Sequence, residues 1–311
     1  MKQTSNIKKS IESLFGSIKK KYPHKVLILE GGGMRGVFPT GVLQGFADRN
    51  FFPWKLIIGS SAGALTGASY AVNQIHLSRD AFFTKLLTGK FIHLSRVLNY
   101  DKHVLDLDWM IDTVVHGDEP LKEQLFKKSC EVLITATHCD DFETPETIFL
   151  SSKEEDVITA LKASAAIPFL YRGFVEYKNY HLLDGGMLDP IPYKKAIELG
   201  YKEKDILVVL TRPKGYRKKE ESFWIKYIYE SYYKENRFKY IIEALETRYK
   251  MYNAVLDDLE ENHPEIEIIY PPDDFEVDRL TQDKEKICEG FEQGVNETRE
   301  YLKRHEILGS I

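Results

Sequence analysis

The residues of this 311-residue sequence that could do chemistry are gathered at three short turns. One of them, Gly59-Ser60-Ser61-Ala62-Gly63, is a G-x-S-x-G segment. An apolar run, Leu56-Ile57-Ile58, leads into it, and a small-residue helical pattern (Ala64, Leu65, Gly67, Ala68, Ala71) leads out. Between a strand and a helix this motif is a nucleophile elbow, in which a sharp turn lifts the serine hydroxyl clear of the sheet. Gly59 and Gly63 flank it because side chains there would collide with the tight backbone. Centring the motif makes Ser61 the candidate nucleophile and Ser60 its variable neighbour.

A second turn, Gly31-Gly32-Gly33-Met34-Arg35-Gly36, follows the apolar run Val26–Leu29. It satisfies G-x-G-x-x-G, but a dinucleotide site would want an acid about 20 residues on, at the end of the next strand. That strand ends in Gly59-Ser60-Ser61, so the dinucleotide reading fails. A triple glycine opening a helix offers instead a row of unhindered N–H groups beside the positive helix end. A tetrahedral acyl oxyanion needs such donors, each worth roughly 3 kcal/mol in the transition state. The backbone of Gly31 to Gly36, including Met34 and Arg35, is therefore the candidate oxyanion hole. The Arg35 side chain could hold a phosphate head group; the commoner role beside a turn is to brace the loop by pairing with a carboxylate.

The serine needs a base. Of the nine histidines, only His263 and His305 follow the last strong strand, and both lie in a charged C-terminal stretch. The third turn, Asp184-Gly185-Gly186, ends a strand that contains His181. A positioned, partly desolvated aspartate can accept the serine proton unaided. The pattern alone leaves a second reading open, that Asp184 is a turn residue accepting backbone N–H bonds.

Elements that could position these turns follow from the periodicity. Further strands are expected at Glu131–Thr137, Thr147–Leu150, His181–Leu183 and Ile206–Leu210. Helices are expected near Val37–Asp48, Arg79–Leu87, Trp109–Val115, Val157–Ala165 and Lys194–Leu199. Alternation of this kind means an α/β sheet with helices on both faces, its ligands at the carboxyl ends of the strands. Beyond Gly215, a tyrosine-rich helical stretch runs from Phe223 to Leu259, broken around Lys234–Arg237. A short strand at Glu265–Tyr270 and a last helix from Gln282 to Lys303 complete the chain. The tyrosines could face lipid; burial of their rings is the favoured reading. His138-Cys139-Asp140-Asp141 lacks metal-ligand spacing and reads as a loop.

Taken in order, the glycine loop, the serine elbow and Asp184-Gly185-Gly186 resemble the patatin-like phospholipases. A fourth block, Ala163-Ser164-Ala165-Ala166-Ile167-Pro168, is similar to the Ala/Ser-rich segment ending in proline that precedes the aspartate in that family. The resemblance spans Val26 to Leu210. It implies a three-layer α/β/α core and lipid acyl hydrolysis of the phospholipase A or lysophospholipase type. It also implies a Ser61–Asp184 dyad without histidine, an oxyanion hole at Gly31–Gly36, a base loop at Gly185 and Gly186, and no cofactor. Two alternatives share the fold: a non-catalytic lipid-binding or regulatory module, and an acyltransferase. The intact serine, aspartate and glycine loop argue against the first. Acyl-carrier transferases pair a comparable elbow with a histidine, which is not well placed here.

Composition sets the remaining bounds. Apolar residues make up 43% and charged residues 29%, enough for a core and too ordered in pattern for a disordered chain. The net charge of −5 argues against nucleic acid as a partner. Three scattered cysteines argue against a disulfide framework. No apolar run approaches the roughly 20 residues that span a bilayer, and the N-terminus lacks a signal-peptide pattern. The expectation is a cytoplasmic protein with a lipid substrate. Residues 1–25 read as a basic amphipathic helix, 26–215 as the catalytic domain and 216–311 as a helical extension. The N-terminal helix has two readings: transient contact with a membrane surface, or docking of its apolar stripe on the body, the commoner fate of terminal helices.

Overall fold

The Val26–Leu29 run forms β1, buried along its whole length. Leu27 and Leu29 enter the core on one face of the sheet, Val26 and Ile28 the core on the other. A strand covered on both faces needs an apolar residue at every position, which explains the unbroken run. The computed structural model describes residues 24–97, 102–115, 120–140, 143–154, 156–233, 235 and 238–306. The expected N-terminal basic helix lies outside them, as does Asp141.

Around β1 stand β2 (Leu56–Ser60), β3 (Glu131–His138), β7 (Ile206–Val209) and β8 (Glu267–Ile269), linked through parallel pairings. β4 (Glu146–Ser151), β5 (Val175–Tyr177) and β6 (Tyr180–Asp184) join through antiparallel ones. The order is β5-β6-β3-β2-β1-β7-β8, with β4 paired to β3. On one face lie α1 (Val37–Ala47), α2 (Ala62–Ala71), α3 (Ile75–Asp80), α4 (Leu107–Val115), α5 (Leu121–Lys127) and α6 (Val157–Ser164). α7 (Tyr193–Glu198) and α9 (Lys239–Asn262) cover the other face, and α8 (Phe223–Tyr232) joins the start of α9 around Leu183 and Met187. The expected α/β sheet with helices on both faces is present.

Three local differences have physical reasons. The helix expected at Arg79–Leu87 is instead the end of α3 followed by a π-helical turn, Ala81–Lys85. β5 is too short, at three residues, to show a period of two. α5 follows Pro120 and exposes Phe126, so its apolar pattern is faint. In the tyrosine-rich stretch, Tyr229, Tyr233 and Tyr252 are buried, whereas Tyr227 and Tyr240 are exposed.

The C-terminal region is knitted into the body. β8 extends the sheet from β7, and α10 (Lys284–Arg304) lies against α1. That crossing is at backbone contact: a Cβ on Gly294 would meet the Phe38 carbonyl oxygen at 2.2 Å, and one on Gly41 the Phe291 oxygen at 2.0 Å. Thr298 fixes the register by donating to the Val42 carbonyl at 2.7 Å. Gly294→Leu should therefore destabilise by about 3 kcal/mol or more, since two helices rather than one side chain must move. A urea melt of the variant checks this, and a midpoint equal to wild type would contradict it.

Candidate active site

Ser61 stands between β2 and α2 with φ +53° and ψ −125°, a conformation that non-glycine residues rarely adopt. Such strain persists only where the surroundings over-determine it, and it gathers at functional sites. Here a Cβ on Gly63 would lie 2.5 Å from the Leu29 carbonyl oxygen, so the elbow is pressed against the end of β1. Gly59 has the same constraint from Ala64. The Ser61 N–H donates to Ser164 Oγ at 2.8 Å, and that hydroxyl donates to the Thr135 carbonyl at 2.6 Å. Ser164, from the Ala/Ser-rich block, thus ties the elbow to β3. Ser60 points elsewhere: it is fully buried and its hydroxyl has no hydrogen bond.

β6 delivers Asp184 to the same place. Its backbone is pinned twice: its N–H donates to the Ala166 carbonyl at 3.0 Å, and its carbonyl accepts from Thr137 Oγ1 at 2.9 Å. Carboxylate Oδ1 accepts the Gly186 N–H at 2.7 Å. Oδ2 is buried without a hydrogen bond of standard geometry, and the Ser61 hydroxyl acts on the carboxylate. The turn reading of the Asp-Gly pair thus holds for Oδ1, and Oδ2 is left free to accept another proton donor. Burial pushes the carboxyl above its usual range, opposed by the Ser61 hydroxyl, by Arg279, by the Gly186 N–H and by Arg248. Gly185 packs on the Thr135 backbone, leaving no room for a side chain.

The glycine loop wraps the elbow, with the Gly31 Cβ position 2.8 Å from the Ser60 carbonyl oxygen. Within the expected oxyanion hole the structure separates used from unused donors. The Met34 N–H donates to the Arg279 carbonyl at 3.0 Å and the Arg35 N–H to the Gly32 carbonyl at 3.3 Å. Gly36 sits beneath, against Ala62. Among the described residues the amides of Gly31, Gly32 and Gly33 have no hydrogen-bond partner. The unused donors are thus those of the glycines, beside the amino end of α2, where Ala62 follows Ser61. Arg35 is buried and braces the loop, as expected, but its partner is the Thr211 hydroxyl at 3.4 Å rather than a carboxylate. The nearby carboxylate, Glu30, accepts from the Thr211 N–H at 2.6 Å and the Tyr252 hydroxyl at 2.9 Å.

Two cavities meet at Ser61. One, of about 660 Å³, is walled by apolar side chains including Leu65, Phe82, Phe91, Leu105, Met110 and Leu280. The other, of about 470 Å³, is polar, with Glu30, Asp184, Lys218, Arg248 and Arg279 in its wall. No histidine among the described residues lines either. His181 faces Asp140 at 3.6 Å, His263 pairs with Glu203 at 2.8 Å and His305 with Glu267 at 2.7 Å. His138 pairs with Asp140 at 3.0 Å at the end of β3. At the amino end of the sheet His24, Glu267 and His305 bring metal-type ligand atoms within 4.8 Å of one another. Arg304 also reaches Glu267, at 3.0 Å, and these contacts fasten the end of α10 to β8.

A strained serine on a strand–helix elbow, facing a buried carboxylate and a glycine loop, belongs to a recognised class of α/β site. The profile described as patatin-like phospholipase matches residues 27–197, just over half of the chain. A second, described as a domain of unknown function, DUF6363, matches residues 238–307. The chain belongs to the patatin-like phospholipase family. It is 32% identical over 191 residues to "Uncharacterized protein YjjU" of Escherichia coli, covering 60% of this chain and 52% of that one. It is 26% identical over 231 residues to "Probable lipid hydrolase 463L" of Invertebrate iridescent virus 6, covering 68% and 77%. VipD from Legionella pneumophila has a similar fold, with a TM-score of 0.50 at 16% identity, over 91% of this chain and 67% of that one. The chain thus spans about half the length of YjjU. No helix among the described residues is long and apolar enough to cross a membrane.

Proposed function

We propose that the protein is a serine hydrolase of lipid acyl esters, of the phospholipase A or lysophospholipase type, with Ser61 as nucleophile and Asp184 as base. One observation carries the reading: Ser61 stands at the seam between an apolar cavity suited to an acyl chain and a polar one holding a carboxylate with an unsatisfied oxygen. The acyl chain lies in the apolar cavity, where burial of methylenes supplies binding free energy. Ser61 Oγ attacks the ester carbonyl carbon as its proton passes to Asp184 Oδ2. The oxyanion is held by the unused amides of the glycine loop and the positive end of α2. The tetrahedral adduct then collapses, the ester C–O bond breaks, and the leaving alkoxide takes the proton from Asp184. Water next attacks the acyl-enzyme, giving its proton to Asp184, which returns it to Ser61 Oγ as the fatty acid departs.

Incubation with a panel of phospholipids, lysophospholipids and neutral acylglycerols, followed by mass-spectrometric product identification, tests this. Free fatty acid and the matching deacylated lipid should accumulate. Leu105→Trp, which fills part of the apolar cavity, should shift the preferred acyl chain to shorter lengths. A panel recovered intact from folded protein would overturn the reading.

A further inference from the structure

The polar cavity holds more positive charge than the dyad needs. Arg35, Lys218, Arg248 and Arg279 all line it, against two carboxylates, Glu30 and Asp184. Glu30 already accepts from Thr211 and Tyr252, and burial holds Asp184 toward its neutral form. Arg248 is only 6% exposed and its Nε has no hydrogen bond; the nearest carboxylate oxygen, of Glu221, is 4.0 Å away. Among the described residues neither Lys218 nor Arg279 forms an ion pair through its side chain, and Lys218 rests 4.3 Å over the Tyr252 ring. A buried guanidinium with so distant a partner is costly, so a fold that keeps one beside a cavity has a use for the charge there. The crowding has a measurable consequence. Burial, with Arg248 and Arg279 nearby, pushes Lys218 down to about 6, and burial with Arg248 and Arg35 pushes Arg279 down to about 9, so an anion entering the cavity raises both and brings Lys218 to its charged form.

We propose that Lys218, Arg248 and Arg279 form an anion subsite that receives a phosphate group attached to the lipid whose ester Ser61 attacks. The site accepts a tetrahedral, singly or doubly charged oxyanion, and the apolar cavity on the other side of Ser61 fixes which way round the lipid lies. In a glycerophospholipid the acyl esters and the phosphate are borne on one three-carbon glycerol unit, so one molecule can reach both cavities across the serine. Arg279 links the two functions, since its carbonyl accepts the Met34 N–H of the oxyanion loop while its side chain faces the subsite. Arg248 lies on α9, Arg279 just before α10 and Lys218 just before α8, so the chain beyond the core sheet strands β1–β7 supplies the subsite. This inference rests on the hydrolase reading for the ester it concerns, and on the cavity alone for the anion.

The test uses the full chain and two substrates of equal acyl length, a lysophospholipid and the matching monoacylglycerol. The quantity read is the ratio of their kcat/KM values. Arg248→Gln and Lys218→Gln should each lower that ratio by about tenfold, the effect of one charge-assisted hydrogen bond, whereas Arg248→Lys should restore part of it. Inorganic phosphate should compete with the lysophospholipid, and calorimetry should show it binding to Ser61→Ala, with weaker binding once Arg248 or Lys218 is neutralised. A ratio unchanged in Lys218→Gln and in a folded Arg248→Gln would overturn the head-group role. Phosphate binding with such an unchanged ratio would assign the site to free phosphate instead. No phosphate binding to Ser61→Ala would overturn the anion subsite outright. Failure of the folded wild-type chain to hydrolyse either substrate would instead overturn the hydrolase reading, leaving the calorimetry to decide the subsite by itself.

Discussion

A fluorophosphonate should label this protein at Ser61, and Ser61→Ala should abolish both labelling and ester hydrolysis. The expected loss is about 10⁴-fold or more in kcat, because the other hydroxyls on the apolar wall, Thr66 and Ser78, are engaged with Thr40 and Ser69 and have no carboxylate beside them. Ser60 cannot substitute: it is fully buried and lines neither cavity. Ser60→Ala should therefore retain labelling. Stability should move the other way. At φ +53° and ψ −125° the backbone is strained for any residue with a side chain. Such strain costs of order 1–3 kcal/mol, and glycine adopts these conformations freely. Ser61→Gly should be as inactive as Ser61→Ala while melting at a higher temperature, as expected where strain is kept for function. Labelling that persisted in Ser61→Ala, traced by peptide mass spectrometry to another residue, would show that the nucleophile lies elsewhere.

The parts of the site that were legible in the sequence are those made by residues close along the chain. A strand, five residues with a central serine and a small-residue helix specify the elbow locally. The same holds for the glycine loop, and for Asp184 accepting from the amide two residues on. What the sequence hid depends on contacts across the fold. Met34 lies within the donor loop, yet its amide is taken by the Arg279 carbonyl from the far end of the chain, and no local pattern could reveal that. Ser164 fastens the elbow through a bond spanning 103 residues. Arg248 did leave a trace. On α9 the buried stripe runs Ile241, Leu245, Arg248, Tyr252, Leu256 and Leu259, so a cation occupies a position where helical spacing calls for an apolar side chain. β8 was visible as a strand, but its place beside β7 was not, since parallel partners are set by topology rather than by neighbouring residues.

Asp184→Asn should lower kcat/KM by at least the roughly 10²–10⁴-fold that a general base contributes. The amide keeps the size of the carboxylate and its oxygen can still accept the Gly186 N–H, but it cannot take the serine proton. Single Gln substitutions of His181, His263 and His305 should cost far less, since each is engaged outside the cavities. Asp189→Asn is the matched control, a nearby acid that burial pushes up to about 6 and that lines neither cavity. It should stay active. Because burial raises Asp184, the acid limb of kcat/KM on a soluble ester should fall above the ordinary carboxylate range and move when Arg279 is neutralised. The same shift fixes the sign of the stability effect. With its folded-state pKa above the unfolded value, Asp184 contributes most below the unfolded pKa, and that contribution is lost as pH rises through the folded pKa. At neutral pH the carboxylate thus works against the fold, and Asp184→Asn should raise the melting temperature there by more than it does in acid. An Asp184→Asn enzyme that kept its activity, or a histidine variant as inactive as Ser61→Ala, would rule out the dyad. A variant that lost activity and stability together would mean that Asp184 holds the turn without serving as the base.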